Sequence, residues 1–315
     1  MDIAVLDKQT LTCEGDVDFS PIEKLGNVRW LRIGSEEDII RGARGCTAVL
    51  CNKILITRRV LESLPEVKYV GVFATGYNNV DLRAARELGV TVTNVPGYSG
   101  AAVAQHVMAL ILHFYSKADV YDRAVRAGEW EAQDCFSYFP YPMHEVCGKT
   151  LGIFGFGDIG KRVAKAAAAL DMKVLVHTRT LPENCPYELV GEKELFSRSD
   201  VLTLHCPLTE QTEKLINKDT LALMKSGAIL INTARGGLVD EDALYDALTS
   251  GRIKAAALDV LGQEPPRANR LIGLDNCVIT PHVAWAPAET RNRLVSLAAK
   301  NLAAYMCGMP VNTIL

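Results

Sequence analysis

The stretch that most restricts the fold is 151–170, "LGIFGFGDIGKRVAKAAAAL". Gly155, Gly157 and Gly160 stand in G-x-G-x-x-G spacing between a short apolar run and an alanine-rich helical pattern. The spacing alone is a weak signal. Placed between a strand and a helix it gains meaning, because each glycine then has a task. Gly155 allows the tight turn, Gly157 lets the backbone approach a pyrophosphate, and Gly160 lets the helix pack closely on the strand. Asp158 and Ile159 open the helix, so phosphates would lie at the positive end of its dipole. The stretch predicts a dinucleotide-binding βαβ unit.

The flanking pattern extends that unit. Strands are expected at 151–154, 173–177, 201–205, 228–232, 255–259 and 278–280, with helices between them, including 159–170 and 241–249. Six strands in this order predict a doubly wound parallel sheet. The first hundred residues form a smaller β/α series. Its strands are expected at 3–7, 47–51, 69–75 and 90–94, short apolar runs suited to a sheet covered on both faces. Helical spacing covers 36–43, 58–64 and 81–88, with Ser35 and Thr57 as start signals. A long helix is expected from 101 to about 126, and a last one over 287–306, which can cross back to the first domain. Between them "WEAQDCFSYFPYPMHE" (130–145) is irregular and aromatic. It reads either as a loop packed on its own core or as an arm that packs on a second subunit.

The fold class is therefore α/β with two Rossmann-like domains: a doubly wound coenzyme domain and a smaller flavodoxin-like domain. A chain of 315 residues is long enough for both. Its net charge of −3 gives no reason to expect nucleic acid or an anionic membrane as partner. The longest apolar run, 101–112, is interrupted by Gln105 and His106 and is too short to span a bilayer. The start, "MDIAVLD", reads as a strand and not as a secretory leader. Nine cysteines without a C-x-x-C pair indicate neither a disulfide framework nor a zinc site, and no metal is expected. Reduced thiols in a cytoplasmic protein are the simplest reading.

Three segments stand at the ends of later strands, where doubly wound sheets carry ligands. "INTARGGLVDEDAL" places Arg235 just past a buried strand, "LDVLGQEPP" places Glu264 in a loop, and "TPHVAWAP" places His282 and Trp285 after the last strand. A cation, a carboxylate and an imidazole make a usable set for hydride transfer on a 2-hydroxy or 2-oxo acid. Arg235 can bind the substrate carboxylate and carbonyl oxygen through its fork of donors. His282 can exchange the proton on that oxygen. Glu264 can hold the ring and, by its charge, favour the imidazolium. The other histidines (His106, His113, His144, His177, His205) read as structural groups.

Together these segments resemble the D-isomer-specific 2-hydroxyacid dehydrogenases. The resemblance also runs through "ATGYNNVDL", "GKTLGIFGFGDIG" and "SDVLTLHCPLTEQT", and so covers essentially the whole chain. It implies that Arg235, Glu264 and His282 are catalytic. It implies a substrate domain of 1–98 plus 287–315, an NAD(P)-binding domain of 99–286, and usually a homodimer. Backbone amides around Thr75, Gly76 and Tyr77 would bind the substrate carboxylate. Asp259 would meet the nicotinamide carboxamide, and Cys206, Pro207, Thr233 and Ala234 would line the nucleotide pocket. "CNK", "ATGYN" and "TPHVAWAP" look most like the glycerate dehydrogenases, also called hydroxypyruvate or glyoxylate reductases. Lys53 would then meet a polar substrate tail or remain a solvated charge, with Trp285 a further substrate contact. Ala102 departs from the serine or threonine that many relatives carry near the nicotinamide.

A larger departure lies at the end of "KVLVHTRT". NAD-using relatives carry an acid there that accepts bonds from the adenosine ribose and repels a 2′-phosphate. Here Thr178 takes that place, with Arg179 beside it. A guanidinium can clamp a phosphate, so NADPH is favoured and NADH stays open, with Arg179 then a solvated charge. The expected activity is the interconversion of short 2-oxo and D-2-hydroxy acids, hydroxypyruvate and glyoxylate first. Alternatives are a dehydrogenase for lactate or 3-phosphoglycerate, or a dinucleotide-sensing binding protein of the corepressor type. Formate dehydrogenase is disfavoured, because Pro281 precedes His282 where that branch looks to a glutamine.

Overall fold

Five short strands of the computed structural model, which describes residues 1–180, 182 and 184–314, build the first sheet. They are β1 (Asp2–Val5), β2 (Asn27–Trp30), β3 (Ala48–Cys51), β4 (Tyr69–Val72) and β5 (Thr91–Thr93). All pair in parallel, in the order β2-β1-β3-β4-β5, the flavodoxin-type order. Every residue of β3 and β4 is buried, as a parallel sheet covered on both faces requires. Three of its helices start at capping residues. Side-chain oxygens of Ser35, Thr57 and Asp81 accept the N–H groups of Asp38, Val60 and Ala84.

Strand β2 is absent from the sequence-based expectation. It is an edge strand with Asn27 exposed and the other three residues only partly buried. Its sequence, NVRW, therefore lacks the apolar run that marks the interior strands.

The second sheet holds β6 (Thr150–Phe154), β7 (Lys173–His177), β8 (Glu188–Leu189), β9 (Val201–Leu204), β10 (Ile229–Asn232), β11 (Ala255–Leu258) and β12 (Cys277–Ile279). Its order is β12-β11-β10-β9-β6-β7-β8, all parallel. The strand order reverses between β6 and β9, which is the switch point where such sheets bind ligands. Strand β8 adds a seventh member to the six expected. It has two exposed residues and carries no readable pattern.

The chain forms two compact units, Met1–Ser99 with Trp285–Leu315, and Gly100–Ala284. In the first, the C-terminal helix Ala288–Met306 shares a buried cluster with the sheet, through Leu294, Ala298 and Leu302 beside Ile3, Leu50 and Tyr69. The rings of Tyr69 and Tyr305 lie 4.8 Å apart. Each fully buried Leu or Ile there contributes roughly 1.5–3 kcal/mol.

The long helix expected from 101 to 126 is two helices, Gly100–Ser116 and Ala118–Arg126. Lys117 separates them in the left-handed region at φ 50°, and no glycine or proline signals the break. The first helix buries Val103, Val107, Leu110 and Ile111, whereas the second buries only Ala124. The break thus ends the buried segment. Beyond it Phe136 and Phe139 are 95% and 73% exposed, so this segment does not pack on a core of its own. Among the described residues no helix is long and apolar enough to cross a membrane, and no cluster of side chains could hold a metal ion.

Candidate active site

Strand β6 ends at Phe154, and Gly155 turns the chain at φ 98°. A Cβ on Gly155 would lie 2.7 Å from the carbonyl carbon and oxygen of His205, and one on Gly160 would lie 2.3 Å from the oxygen of Gly155. Glycine is required at both places by backbone, not by conformation alone. A Cβ on Gly157, by contrast, would meet nothing within 4 Å. That residue precedes the helix Asp158–Ala168, and no side chain caps it. The Asp158 carboxylate is turned to Arg162, 3.0 Å away. The turn therefore offers open ground beside an uncapped helix start that begins with Asp158 and Ile159, suited to a pyrophosphate.

Around this switch point the neighbouring strand ends supply walls. Burial pushes the Cys206 thiol up to about 11, so it stays a neutral wall ahead of Pro207. Burial also pushes His205 down to about 3, and its imidazole is neutral beside Thr203. The hydroxyl oxygen of Thr233 is buried without a hydrogen-bond partner, as are Asn52 Oδ1 and Trp285 Nε1, and such an atom is an opening for a ligand. Asn232, fully buried, accepts from the Ala234 N–H at 3.0 Å and donates to the Arg235 carbonyl at 2.8 Å. It shapes the Thr233, Ala234, Arg235 turn, a role the sequence reading missed. Thr178 and Arg179 follow β7. The Thr178 hydroxyl donates to the Thr180 carbonyl at 3.3 Å. The Arg179 side chain is exposed and makes no ion pair with a described residue. These features fit a nicotinamide dinucleotide.

The imidazole of His282 donates from Nδ1 to Glu264 Oε2 at 2.7 Å. Glu264 Oε1 accepts the Leu261 N–H at 2.9 Å. An ionised carboxylate can only accept, so Nδ1 carries the hydrogen and Nε2 is left without it. His282 sits at φ 55°, an unusual backbone for a non-glycine residue. Asp259, 1% exposed, holds it there. Its carboxylate accepts from the Thr280 hydroxyl at 2.6 Å and from the N–H groups of Val283 and Ala284 at 2.9 Å, and its carbonyl accepts from the His282 N–H at 2.8 Å. Three of about four acceptor directions on that carboxylate are thereby used. His106 Nε2 lies 3.1 Å from the Thr280 hydroxyl and supports the same clamp.

Arg235 is exposed and donates to the Ala234 carbonyl at 2.7 Å. Its turn meets the Glu264 loop through backbone. A Cβ on Gly236 would lie 1.9 Å from the Leu261 carbonyl carbon, so the Arg235 turn and the Glu264 loop touch at a place only glycine allows.

The candidate substrate contacts in the other unit are held separately. Asp7, fully buried, accepts the N–H groups of Asn52 and Lys53 at 2.8 and 2.6 Å. Burial raises its pKa more than these bonds lower it. Lys53 Nζ stands 5.8 Å from the Trp285 ring centre. The Thr75 hydroxyl donates to the Val95 carbonyl, and the Thr75 carbonyl accepts from Asn94. Those bonds do not engage the amides of Gly76 and Tyr77. Asp7 is a further residue the sequence reading missed, its one signal being an acid at the end of an apolar run.

Comparison with known proteins shows the family. Residues 108–284 match the family model "D-isomer specific 2-hydroxyacid dehydrogenase, NAD binding domain". A hydroxypyruvate reductase of Blautia hydrogenotrophica is 42% identical over 323 residues, covering 100% of this chain and 99% of the relative. A glycerate dehydrogenase of Methylorubrum extorquens is 41% identical over 281 residues, 88% of each chain. The solved NADPH-dependent glyoxylate/hydroxypyruvate reductase of Sinorhizobium meliloti, in complex with NADP and malonate, superposes with a TM-score of 0.84 at 27% identity over 99% of this chain and 96% of that one. The chain belongs to the D-isomer-specific 2-hydroxyacid dehydrogenase family and is an NAD(P)-dependent oxidoreductase.

Proposed function

We propose that the enzyme reduces hydroxypyruvate and glyoxylate to D-glycerate and glycolate, with NADPH preferred. The observation that carries the catalytic part is the short bond from His282 to Glu264, on a backbone clamped by Asp259. The bound nicotinamide supplies the hydride. Arg235 holds the substrate carboxylate and carbonyl oxygen through its guanidinium, and His282 Nε2 exchanges the proton on that oxygen. Glu264 keeps the ring in the required tautomer. The amides near Thr75, Gly76 and Tyr77 bind the carboxylate, while Lys53 and Trp285 meet the remainder of the substrate. Gly155, Gly157, Asp158, Ile159 and Gly160 hold the pyrophosphate, and Cys206, Pro207, Thr233, Ala234 and Asp259 hold the rest of the dinucleotide. Gly100–Ala284 is thus the coenzyme unit and the other the substrate unit.

Support for NADPH is the absence of an acid at 178–180, directly after β7, and the exposed Arg179 beside Thr178. Support for a homodimer is the exposure of Phe136 and Phe139, apolar rings suited to a second copy. The test is a panel of 2-oxo acids with NADPH and NADH in parallel, repeated on the double variant Thr178→Asp, Arg179→Ser. Hydroxypyruvate and glyoxylate should show the highest kcat/KM, and the double variant should reverse the cofactor preference. Failure to reduce either acid overturns the substrate assignment. An unchanged cofactor ratio returns Arg179 to the surface.

A further inference from the structure

Glu264 stands in an exposed loop, and an exposed loop needs a reason to hold a carboxylate in place. The loop runs between two buried anchors, Leu261 and Leu271, 7% and 1% exposed, while residues 262–268 all lie at the surface. Glu241, in the first turn of the helix Glu241–Thr249, reaches across to it. Its Oε1 accepts the Gly262 N–H at 2.7 Å, and its Oε2 accepts from Asn269 Nδ2 at 2.8 Å. Asn269 in turn accepts the Leu271 N–H at 2.9 Å. One carboxylate thus closes the loop at both ends, with Glu264 between them.

The placement at Gly262 bears on the chemistry. Successive amides bind two different carboxylates: Leu261 N–H goes to Glu264 and Gly262 N–H to Glu241. A bond to an ionised acceptor is stronger than a neutral one. Without it Gly262, which as a glycine has the widest backbone freedom, can rotate and carry the Glu264 carboxylate away from the anchored Leu261 N–H. Arg270 adds a second tie to the same helix, over the Tyr245 ring at 3.8 Å and 3.5 Å from Asp242.

We infer that Glu241 is a positioning residue of the reaction, acting through the Gly262 and Asn269 bonds to hold Glu264 against His282. This rests on Glu264 and His282 being the acid–base pair proposed above. It touches neither substrate nor cofactor. Its role is to keep the carboxylate within the few tenths of an ångström that orienting an imidazole demands.

The test is a mutant cycle on the full-length enzyme. The substrate is whichever of glyoxylate, hydroxypyruvate, pyruvate and 3-phosphohydroxypyruvate the wild type reduces fastest. Glu241→Ala should lower kcat about 10- to 100-fold, as displacement of a catalytic group by about 1 Å does, with KM within about threefold. NADPH binding and the midpoint of thermal unfolding report that the fold is intact. Glu241→Gln keeps an oxygen for Gly262 but turns an NH₂ group on the Asn269 donor, so it should recover kcat in part, to about the level of Asn269→Ala. Asn269→Ala, which leaves the helix untouched, should lower kcat in the same direction by a smaller factor. In the Glu264→Gln background, Glu241→Ala should cost less than about twofold, because its effect passes through Glu264. Wild-type kcat in both Glu241→Ala and Asn269→Ala, or full multiplication of the Glu241 and Glu264 effects, overturns the positioning role. An unimpaired Glu264→Gln variant overturns the acid–base reading as well.

Discussion

Asp7 follows β1 of one unit, and Asp259 follows β11 of the other. Each is almost fully buried, 0% and 1% exposed, and each turns its carboxylate on the loop leaving the neighbouring strand. Asp7 binds the N–H groups of Asn52 and Lys53 after β3, and Asp259 binds those of Val283 and Ala284 after β12. In both, backbone donors offset part of the cost of burying an acid, each such bond worth about 1.5–3 kcal/mol. The device is shared. What it holds differs.

The loop under Asp259 carries His282 in a left-handed conformation, with its ring tied to Glu264. Two side-chain torsions separate backbone from reacting atom, so a displaced backbone displaces the imidazole directly. The loop under Asp7 carries Lys53, whose charge sits at the end of a flexible four-carbon stem. A similar shift there is absorbed by the stem. One clamp should therefore govern turnover and the other substrate affinity.

Asparagine at either aspartate breaks the comparison open, since it presents an NH₂ group where one oxygen had accepted an N–H. Asp259→Asn should lower kcat about a hundredfold in steady-state assays. The smaller effect is expected at Asp7→Asn, with KM for the 2-oxo acid raised several-fold and kcat within about threefold. If Asp7→Asn lowers kcat as far as Asp259→Asn does, the distinction between the two clamps is wrong.

The contrast also marks how far a sequence of this kind can be read. The glycine turn and the segments around Arg235, Glu264 and His282 could be singled out because local spacing and position at a strand end mark them. The clamps were not, because each joins residues remote in the chain. Asp7 and Lys53 are 46 residues apart, Asp259 and Ala284 25, and Glu241 and Gly262 21. Nothing in the letters near Asp7 shows which amides it will meet. Strand β2 was missed for a related reason: as an edge strand it takes its register from β1 and needs no apolar run of its own. The break at Lys117 is decided by where the interior ends, which helical periodicity does not record.

Behind these clamps stands the claim that His282 moves the substrate proton. The direct measurement is turnover of His282→Ala alongside NADPH binding to the same protein. Turnover about a hundredfold or more below wild type with cofactor binding unchanged is the predicted result. Turnover within about threefold of wild type would contradict the account.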